Sequence, residues 1–269
     1  MKRKNVFITV VLFWSVAFSA CSRREVSGEP KTLQDLNNRV IGLLVSPILV
    51  GPNQIKESLG FLPSEVRAFS TSNDLVSALK TKRVDAMLTT EETSKFLISA
   101  DERLAIIPSN LPSNGLRMIL RDTDAALLAE LNAGIAELRA KSILDTLYEQ
   151  YIANVTVDNL AEAPAQVPLI EGAETILAGI NGDLPPYDYI SADGKPSGYN
   201  AALMTELSRV LGKNVQFVTI PSEARFSALL SKNSRRMDLF FWFYGNLTMD
   251  SLVLTDAYTQ VDECILVRK

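Results

Sequence analysis

Leu75-Val76-Ser77-Ala78-Leu79 leads through a basic turn to Val84-Asp85-Ala86-Met87-Leu88, and much later Arg225-Phe226-Ser227-Ala228-Leu229 leads through the basic run 232–236 to Met237-Asp238-Leu239-Phe240-Phe241. Each stretch is an amphipathic helix, then a turn, an aspartate and a continuous apolar run. Such a run, with no polar alternation, reads as a strand covered on both faces. One unit occurring twice predicts two lobes of related design with a cleft between them.

Outward from these units the same grammar continues. Val40–Val45, Leu116–Leu120, Thr175–Ile180, Val215–Ile220, Leu239–Phe243 and Cys264–Val267 read as strands. Leu127, Leu128, Leu131, Ile135 and Leu138 recur at helical spacing, as do Ile143, Leu144, Leu147, Tyr148 and Tyr151, and Leu203, Met204, Leu207, Val210 and Leu211. Strands alternating with helices predict an α/β fold, with mixed sheets covered by helices. Ala153 to Thr175 is long, polar and proline-bearing, which reads as a connector.

Composition narrows the chemistry. The 269 residues carry 27 basic and 31 acidic side chains, a net charge of −4, which argues against a nucleic-acid partner. There is no histidine, so Ser-His-Asp, Cys-His and histidine-ligated metal mechanisms are excluded. Two cysteines, Cys21 and Cys264, make neither a four-cysteine zinc site nor a CxxC pair. No metal or cofactor is expected.

At the amino terminus Lys2, Arg3 and Lys4 precede the apolar stretch Val6–Phe18, which is too short to span a bilayer and fits a secretory signal. It ends in Phe18-Ser19-Ala20-Cys21. This resembles the lipobox of bacterial lipoproteins, with Phe18 where leucine is usual. The resemblance implies cleavage of residues 1–20, diacylglycerol on the Cys21 thiol and a fatty acyl group such as palmitate on its amine. Several chains together anchor firmly, each buried CH₂ adding ~0.8 kcal/mol. The alternative is a plain signal peptide with an incidental cysteine. Residues 21–35 read as a tether. With Cys21 acylated, Cys264 has no disulfide partner, and its apolar setting predicts a buried, inert thiol.

Further motifs fill in the two halves. Pro185-Pro186-Tyr187-Asp188-Tyr189 and Asp193-Gly194-Lys195-Pro196-Ser197-Gly198-Tyr199-Asn200, followed by a helix from Ala201, resemble the opening of the periplasmic solute-binding proteins of amino-acid ABC transporters, family 3, which have the type II two-lobed fold. Phe226–Phe241 and Leu254-Thr255-Asp256-Ala257-Tyr258 are similar to later parts of that first lobe. Asp35–Gly42, Ser77–Leu88 and Leu127–Tyr151 are similar to the family's second lobe and closing helices. The blocks stand in swapped order, which predicts a circular permutant. Residues 36–118 should form the lobe resembling the family's second, and 119–269 the lobe resembling its first: closing helices 122–152, connector 153–174, core 175–269. Leu116–Asp122 should be the only covalent crossing, with Lys269 ending at the hinge.

The resemblance also marks the ligand site and where it departs. The family grips an α-carboxylate with an arginine in T-x-x-R; here the stretch is Thr248-Met249-Asp250-Ser251, and the arginine is missing. No neighbouring residue replaces its bidentate grip, so weak binding of simple α-amino acids is expected. Thr90 lies about where an aspartate commonly holds the α-amine, with Glu91 beside it; Glu91 also suits the first turn of a helix. Trp242 and Tyr244, at a strand's carboxyl end, either stack on a flat or cationic ligand or pack beneath helices. Asp183, at a strand end, faces the cleft or caps a turn, and Ser46 lies where the second lobe offers a hydroxyl. Arg225, Arg235 and Arg236 read as solvated surface.

The functional expectation is a monomeric, lipid-anchored, extracytoplasmic binding protein, not an enzyme, that delivers a small polar or aromatic solute to an ABC permease from the periplasmic side or outer surface of the envelope. A dehydratase-like enzyme on the same fold, with Asp183 or Glu91 as acid–base groups, and a sensory or accessory ligand-binding lipoprotein are the alternatives.

Overall fold

The computed structural model describes residues 28–45, 50–109, 113–160, 164, 169–231, 236–242 and 250–269. In chain order the elements are β1 (Val40–Leu44), α1 (Pro52–Leu59), β2 (Glu65–Phe69), α2 (Ser72–Lys80), β3 (Ala86–Thr90), α3 (Glu91–Ala100) and β4 (Leu104–Pro108). β5 (Asn114–Arg121), α4 (Ala125–Ala140) and α5 (Ile143–Tyr148) follow, α5 running on into a π-helical turn at Glu149–Ala153. Then come β6 (Thr175–Ile180), β7 (Asp183–Leu184), β8 (Asp188–Ile190), β9 (Pro196–Ser197), α6 (Tyr199–Leu211), β10 (Asn214–Thr219), α7 (Arg225–Leu229), β11 (Leu239–Trp242), β12 (Leu252–Leu254), β13 (Thr259–Val261) and β14 (Glu263–Arg268).

Two five-strand paths organise these elements. One sheet runs β2-β1-β3-β14-β4 and the other β10-β6-β11-β5-β12, with β13 pairing β5 beyond that path. The patterns correspond strand for strand. In each, three neighbouring strands are parallel, and a strand from the other half of the chain is inserted antiparallel in fourth place. The repeated aspartate has the same job in both. Asp85 Oδ2 accepts the Val40 amide at 2.9 Å, and Asp238 Oδ2 accepts the Leu177 amide at 2.8 Å, each tying the turn before the third strand to the start of the first.

Strand β14 departs from the sequence expectation. Cys264–Val267 pair with Thr89–Ala86 of β3 on one side and with Pro108–Ala105 of β4 on the other. Residues 263–268 therefore lie in the amino-terminal sheet and not with the rest of 119–269. Among the described residues the chain passes from one sheet to the other between β4 and β5 and again between β13 and β14, so a single crossing is corrected. Lys269 donates its amide to the Arg103 carbonyl, a full strand length from the crossing and not beside Leu116–Leu120. Cys264–Val267 is apolar on both faces, and such a strand fits the middle of either sheet.

Helices α4 and α5 pack on the carboxy-terminal lobe. Leu131, Ile135, Leu138, Leu144 and Leu147 share one core with Ile176, Ala178, Leu203, Leu207 and Phe241. The amino-terminal sheet has a core on each face, one under Ile55 and Phe61 and one under Leu75 and Leu79. Gly42 in β1 and Gly179 in β6 stand at equivalent places; an added Cβ would meet Leu75 Cδ1 at 2.6 Å and Met237 Sδ at 2.5 Å. The missing Cβ lets β1 approach α2 closely at Gly42 and lets β6 approach the turn before β11 at Gly179.

Candidate functional site

The carboxyl ends of β1, β3, β6 and β11 converge between the lobes, the place where α/β sheets bind ligands. The scaffold on the carboxy-terminal side is built by the Pro-Pro-Tyr-Asp-Tyr motif. Asp188, fully buried, accepts the amides of Asn181 at 2.8 Å and Gly182 at 3.1 Å and the Asn200 side chain at 3.1 Å. Asn200 in turn accepts the Tyr258 hydroxyl at 2.9 Å, so one carboxylate joins the β6 loop, α6 and the crossing strand. Burial raises the Asp188 pKa, against the lowering effect of these hydrogen bonds and of Arg225.

That scaffold aims two side chains across the cleft. The Tyr187 ring is buried and its hydroxyl reaches Glu92 Oε2 at 2.9 Å and Thr90 Oγ1 at 3.3 Å in the opposite lobe. Asp183 Oδ2 accepts the Asn73 amide, 3.1 Å away at the start of α2. The positive end of that helix suits a carboxylate. Burial nevertheless raises the Asp183 pKa, with the Asn73 and Ser72 amides pulling it back down. Glu92 is likewise pushed up by burial, and Glu91 and Asp262 add to the rise. A third link is the Ser222 amide, which donates to the Ser70 carbonyl at 3.3 Å.

Between these links lies a cavity of ≈ 30 Å³, lined by Ser72, Leu75 and Thr90 from one lobe and Asn181, Arg225 and Phe241 from the other. That is room for a water or two, well short of the several hundred cubic ångströms of a metabolite pocket. Arg225 corrects the sequence expectation of a solvated residue. It is 9% exposed, its Nη2 donates to Ser222 Oγ at 3.0 Å, and its guanidinium lies 5.2 Å from the Phe240 ring centroid. Its positive charge also acts on the nearby Asp183 and Asp188 carboxyls, pulling both pKa values down against the effect of burial. Arg236 is exposed as expected, and Arg235 lies outside the described residues.

Of the other anticipated residues, Thr90 is buried at the cleft wall, where its hydroxyl caps α3 by accepting the Thr93 amide at 3.3 Å. Glu91 sits in the first turn of α3 and pairs with Lys95 at 2.7 Å. Trp242 is the last residue of β11 and pairs with Arg117 through the backbone; its side chain is not among those described. Ser46, Tyr244, Thr248 and Cys21 lie outside the described residues. Cys264 is buried against Ser94 Oγ at 3.1 Å, and burial pushes its thiol up to about 12. Among the described residues no three cysteine, aspartate or glutamate side chains gather closely enough to hold a metal ion, and no helix is long and apolar enough to cross a membrane.

Comparison with known proteins bears on the half of the chain that builds this scaffold. Residues 176–242 match the family model of bacterial extracellular solute-binding proteins, family 3. The matched segment lies in the carboxy-terminal half of the chain. It runs from β6 through the Pro-Pro-Tyr-Asp-Tyr motif, α6 and Arg225 to Trp242, so that segment holds Asp183, Tyr187 and Arg225 together. Solved structures similar to the chain include the periplasmic domain of BvgS from B. pertussis, at 12% identity and TM-score 0.40, covering 86% of this chain and 37% of that one. The ligand-binding component of an ABC-type import system from Staphylococcus aureus, with zinc bound, is 12% identical at TM-score 0.46, covering 86% and 66%. The GluR0 ligand-binding core from Nostoc punctiforme, in complex with L-glutamate, is 13% identical at TM-score 0.37, covering 86% and 85%. The chain spans less than two thirds of the first two. No curated protein matches the chain. The fold is mixed α/β, with two main sheets covered by helices.

Proposed function

We propose that the chain is a lipid-anchored extracytoplasmic solute-binding protein whose lobes open to admit a small solute bearing a carboxylate, which Arg225 holds, and which is then presented to an ABC permease. The observation that carries this reading is the buried Arg225 guanidinium, bonded to Ser222 and lining the interlobe cavity together with Ser72 and Thr90. It supplies the charge that Ser251 does not supply at the family's usual arginine position. The anchor rests on the Ser19-Ala20-Cys21 succession, and delivery rests on the family 3 segment. The lobes are read as circularly permuted because β14 and β5 are each inserted into the other half's sheet, while α4 and α5 close the lobe that follows them.

Calorimetry of the full chain against a panel of carboxylate-bearing metabolites and their methyl esters tests the assignment. The acid should bind and its ester should not, and Arg225→Leu should abolish the difference. Equal binding of acid and ester would remove Arg225 from the site.

A sensory or accessory role is the second reading, favoured by lobes linked directly through Tyr187–Glu92, Asp183–Asn73 and Ser222–Ser70. Co-purification of a permease and ATPase with the tagged protein supports delivery; their absence, with a ligand bound, supports sensing.

A further inference from the structure

The two repeats present their helix starts to each other across the cleft, and each start is engaged by an acceptor from the opposite lobe. In the amino-terminal lobe α2 opens at Ser72 and Asn73. The Asn73 amide donates to Asp183 Oδ2 at 3.1 Å, and the Ser72 amide donates to the same carboxylate. In the carboxy-terminal lobe the equivalent turn opens at Ser222, whose amide donates to the Ser70 carbonyl at 3.3 Å. A third donor, the Tyr187 hydroxyl, goes to Glu92 at 2.9 Å. The clasp is reciprocal, with a carboxylate reaching one way and a backbone carbonyl the other.

These contacts close over Arg225. The cavity they leave is ≈ 30 Å³, room for water and far below the volume of a metabolite, so a solute reaches the guanidinium only after the clasp opens. Among the three acceptors Asp183 has a particular place. It stands on the Arg225 side of the cleft, its partner amides stand on the other, and the Arg225 charge acts on its carboxyl. A second carboxylate brought to Arg225 meets the Asp183 charge, and like charges at close range repel.

We propose that Asp183 is an autoinhibitory latch and not a solute contact: its carboxylate, seated on the first turn of α2, holds the cleft shut over Arg225 and leaves before a carboxylate-bearing solute enters. This deepens the proposed function and rests on Arg225 as the solute's anchor, but the latch can be read without any solute. When only open molecules bind, apparent affinity falls in proportion to the open fraction. Releasing a latch therefore tightens binding, whereas removing a solute contact weakens it.

Phenylglyoxal, which modifies accessible guanidinium groups, reads the latch in the full chain, with modification at Arg225 followed by peptide mass spectrometry. Arg103, whose side chain is 82% exposed, is the internal control. Asp183→Ala should speed modification at Arg225 by at least about fivefold and leave Arg103 within about twofold. Asp183→Asn keeps an oxygen for the Asn73 amide and should fall between the two. An unchanged Arg225 rate in Asp183→Ala would overturn the latch. If that variant fails to fold by its circular-dichroism melt, Asp183→Asn decides in its place, with an expected increase of about twofold. Toward any acid whose binding depends on Arg225, Asp183→Ala should show tighter binding by calorimetry; weaker binding would make Asp183 a solute contact and overturn the proposal. If no acid binds, the proposed function fails while the phenylglyoxal result still decides the latch.

Discussion

Leu75 and Arg225 occupy the same position in two copies of one helix–turn–strand unit, 150 residues apart, and both line the same cavity. In the amino-terminal lobe that place is apolar and the helix packs its leucine into the core. In the carboxy-terminal lobe it holds a guanidinium beside Ser222, itself the counterpart of Ser72. The aspartates differ in the same sense. Asp238 is 2% exposed and bonded to Arg121 at 3.2 Å, whereas Asp85 is 26% exposed and 3.5 Å from Arg39. One scaffold has thus been given a plain wall on one side of the cleft and a charged, tightly bonded wall on the other. The asymmetry, not the shared scaffold, is where chemistry resides.

The sharpest way to break the comparison is at the aspartates. Asp238→Ala leaves the Leu177 amide without its acceptor and removes one of the two carboxylates on Arg121, which keeps Asp124 at 2.8 Å. Losing a charged hydrogen bond and orphaning that amide should together cost about 2–4 kcal/mol. Asp85→Ala at the half-open counterpart should cost only about 1–2 kcal/mol, the value of an amide–carboxylate bond that water can replace. Urea denaturation of both variants checks the order, and equal losses would mean that the two turns are equally buried in solution.

Arg225→Leu makes the second unit a copy of the first. A solute carboxylate should lose about 1.5–3 kcal/mol of binding, roughly 10- to 150-fold, by calorimetry. Unfolding stability should move by less than about 1 kcal/mol, because an apolar replacement spares the cost of burying the charge.

Tyr187→Phe probes the wall that joins the lobes. It keeps the ring but removes the hydroxyl that donates to Glu92, worth about 0.5–1.5 kcal/mol. The open fraction should rise about two- to tenfold in a fluorescence-transfer measurement between the lobes. An unchanged distance distribution would show that Asp183 and Ser222 hold the closure without it.

What could be read from the sequence follows burial. Val40–Val45, Thr175–Ile180 and Leu116–Leu120 announced themselves because strands covered on both faces are largely apolar, Arg117 and Thr175 being the polar residues among them. β2, Glu65-Val66-Arg67-Ala68-Phe69, gave no such sign, for it lies at the edge of its sheet and keeps polar side chains in partial contact with water. Which sheet β14 joins could not be read locally, since an apolar strand carries no address and the crossing at 261–263 decides it. Arg225 was masked by the basic residues that follow it. The signal was present all the same: aligning the repeats sets it against Leu75, a core position, and a charge at a core position is a functional hypothesis. Asp183 was legible as a cleft residue, but its partner, a helix amide 110 residues away, was not.

The smallest expected effect concerns pH and separates the walls by their carboxylates. Asp183 and Glu92 both bridge the lobes, and burial raises both above their ordinary values of 3.8 and 4.5. Closing the lobes therefore takes up protons wherever the pH lies between those ordinary values and the raised ones. In that window the closed form binds more protons than the open form, so its stability rises as pH falls. Above the raised values the penalty for burying charge is constant, and below the ordinary ones both forms are protonated and the dependence ends. Asp101 and Asp35 have the opposite sign. Arg103 beside Asp101 and the Lys31 amide beside Asp35 hold those carboxyls below 3.8, so they favour the fold above that value and lose their contribution as pH falls through the lowered ones. Each lies within the amino-terminal lobe and acts on unfolding, not on closure. Lowering the pH from ~7 toward ~4.5 should raise the ratio of closed to open molecules by about two- to threefold, read as a decrease in radius of gyration by small-angle scattering. Asp183→Asn keeps an oxygen for the Asn73 amide but has no proton to gain, and should flatten this slope by about half. A slope of opposite sign, or one untouched by Asp183→Asn, would show that the Asp183 carboxylate is not buried by closure.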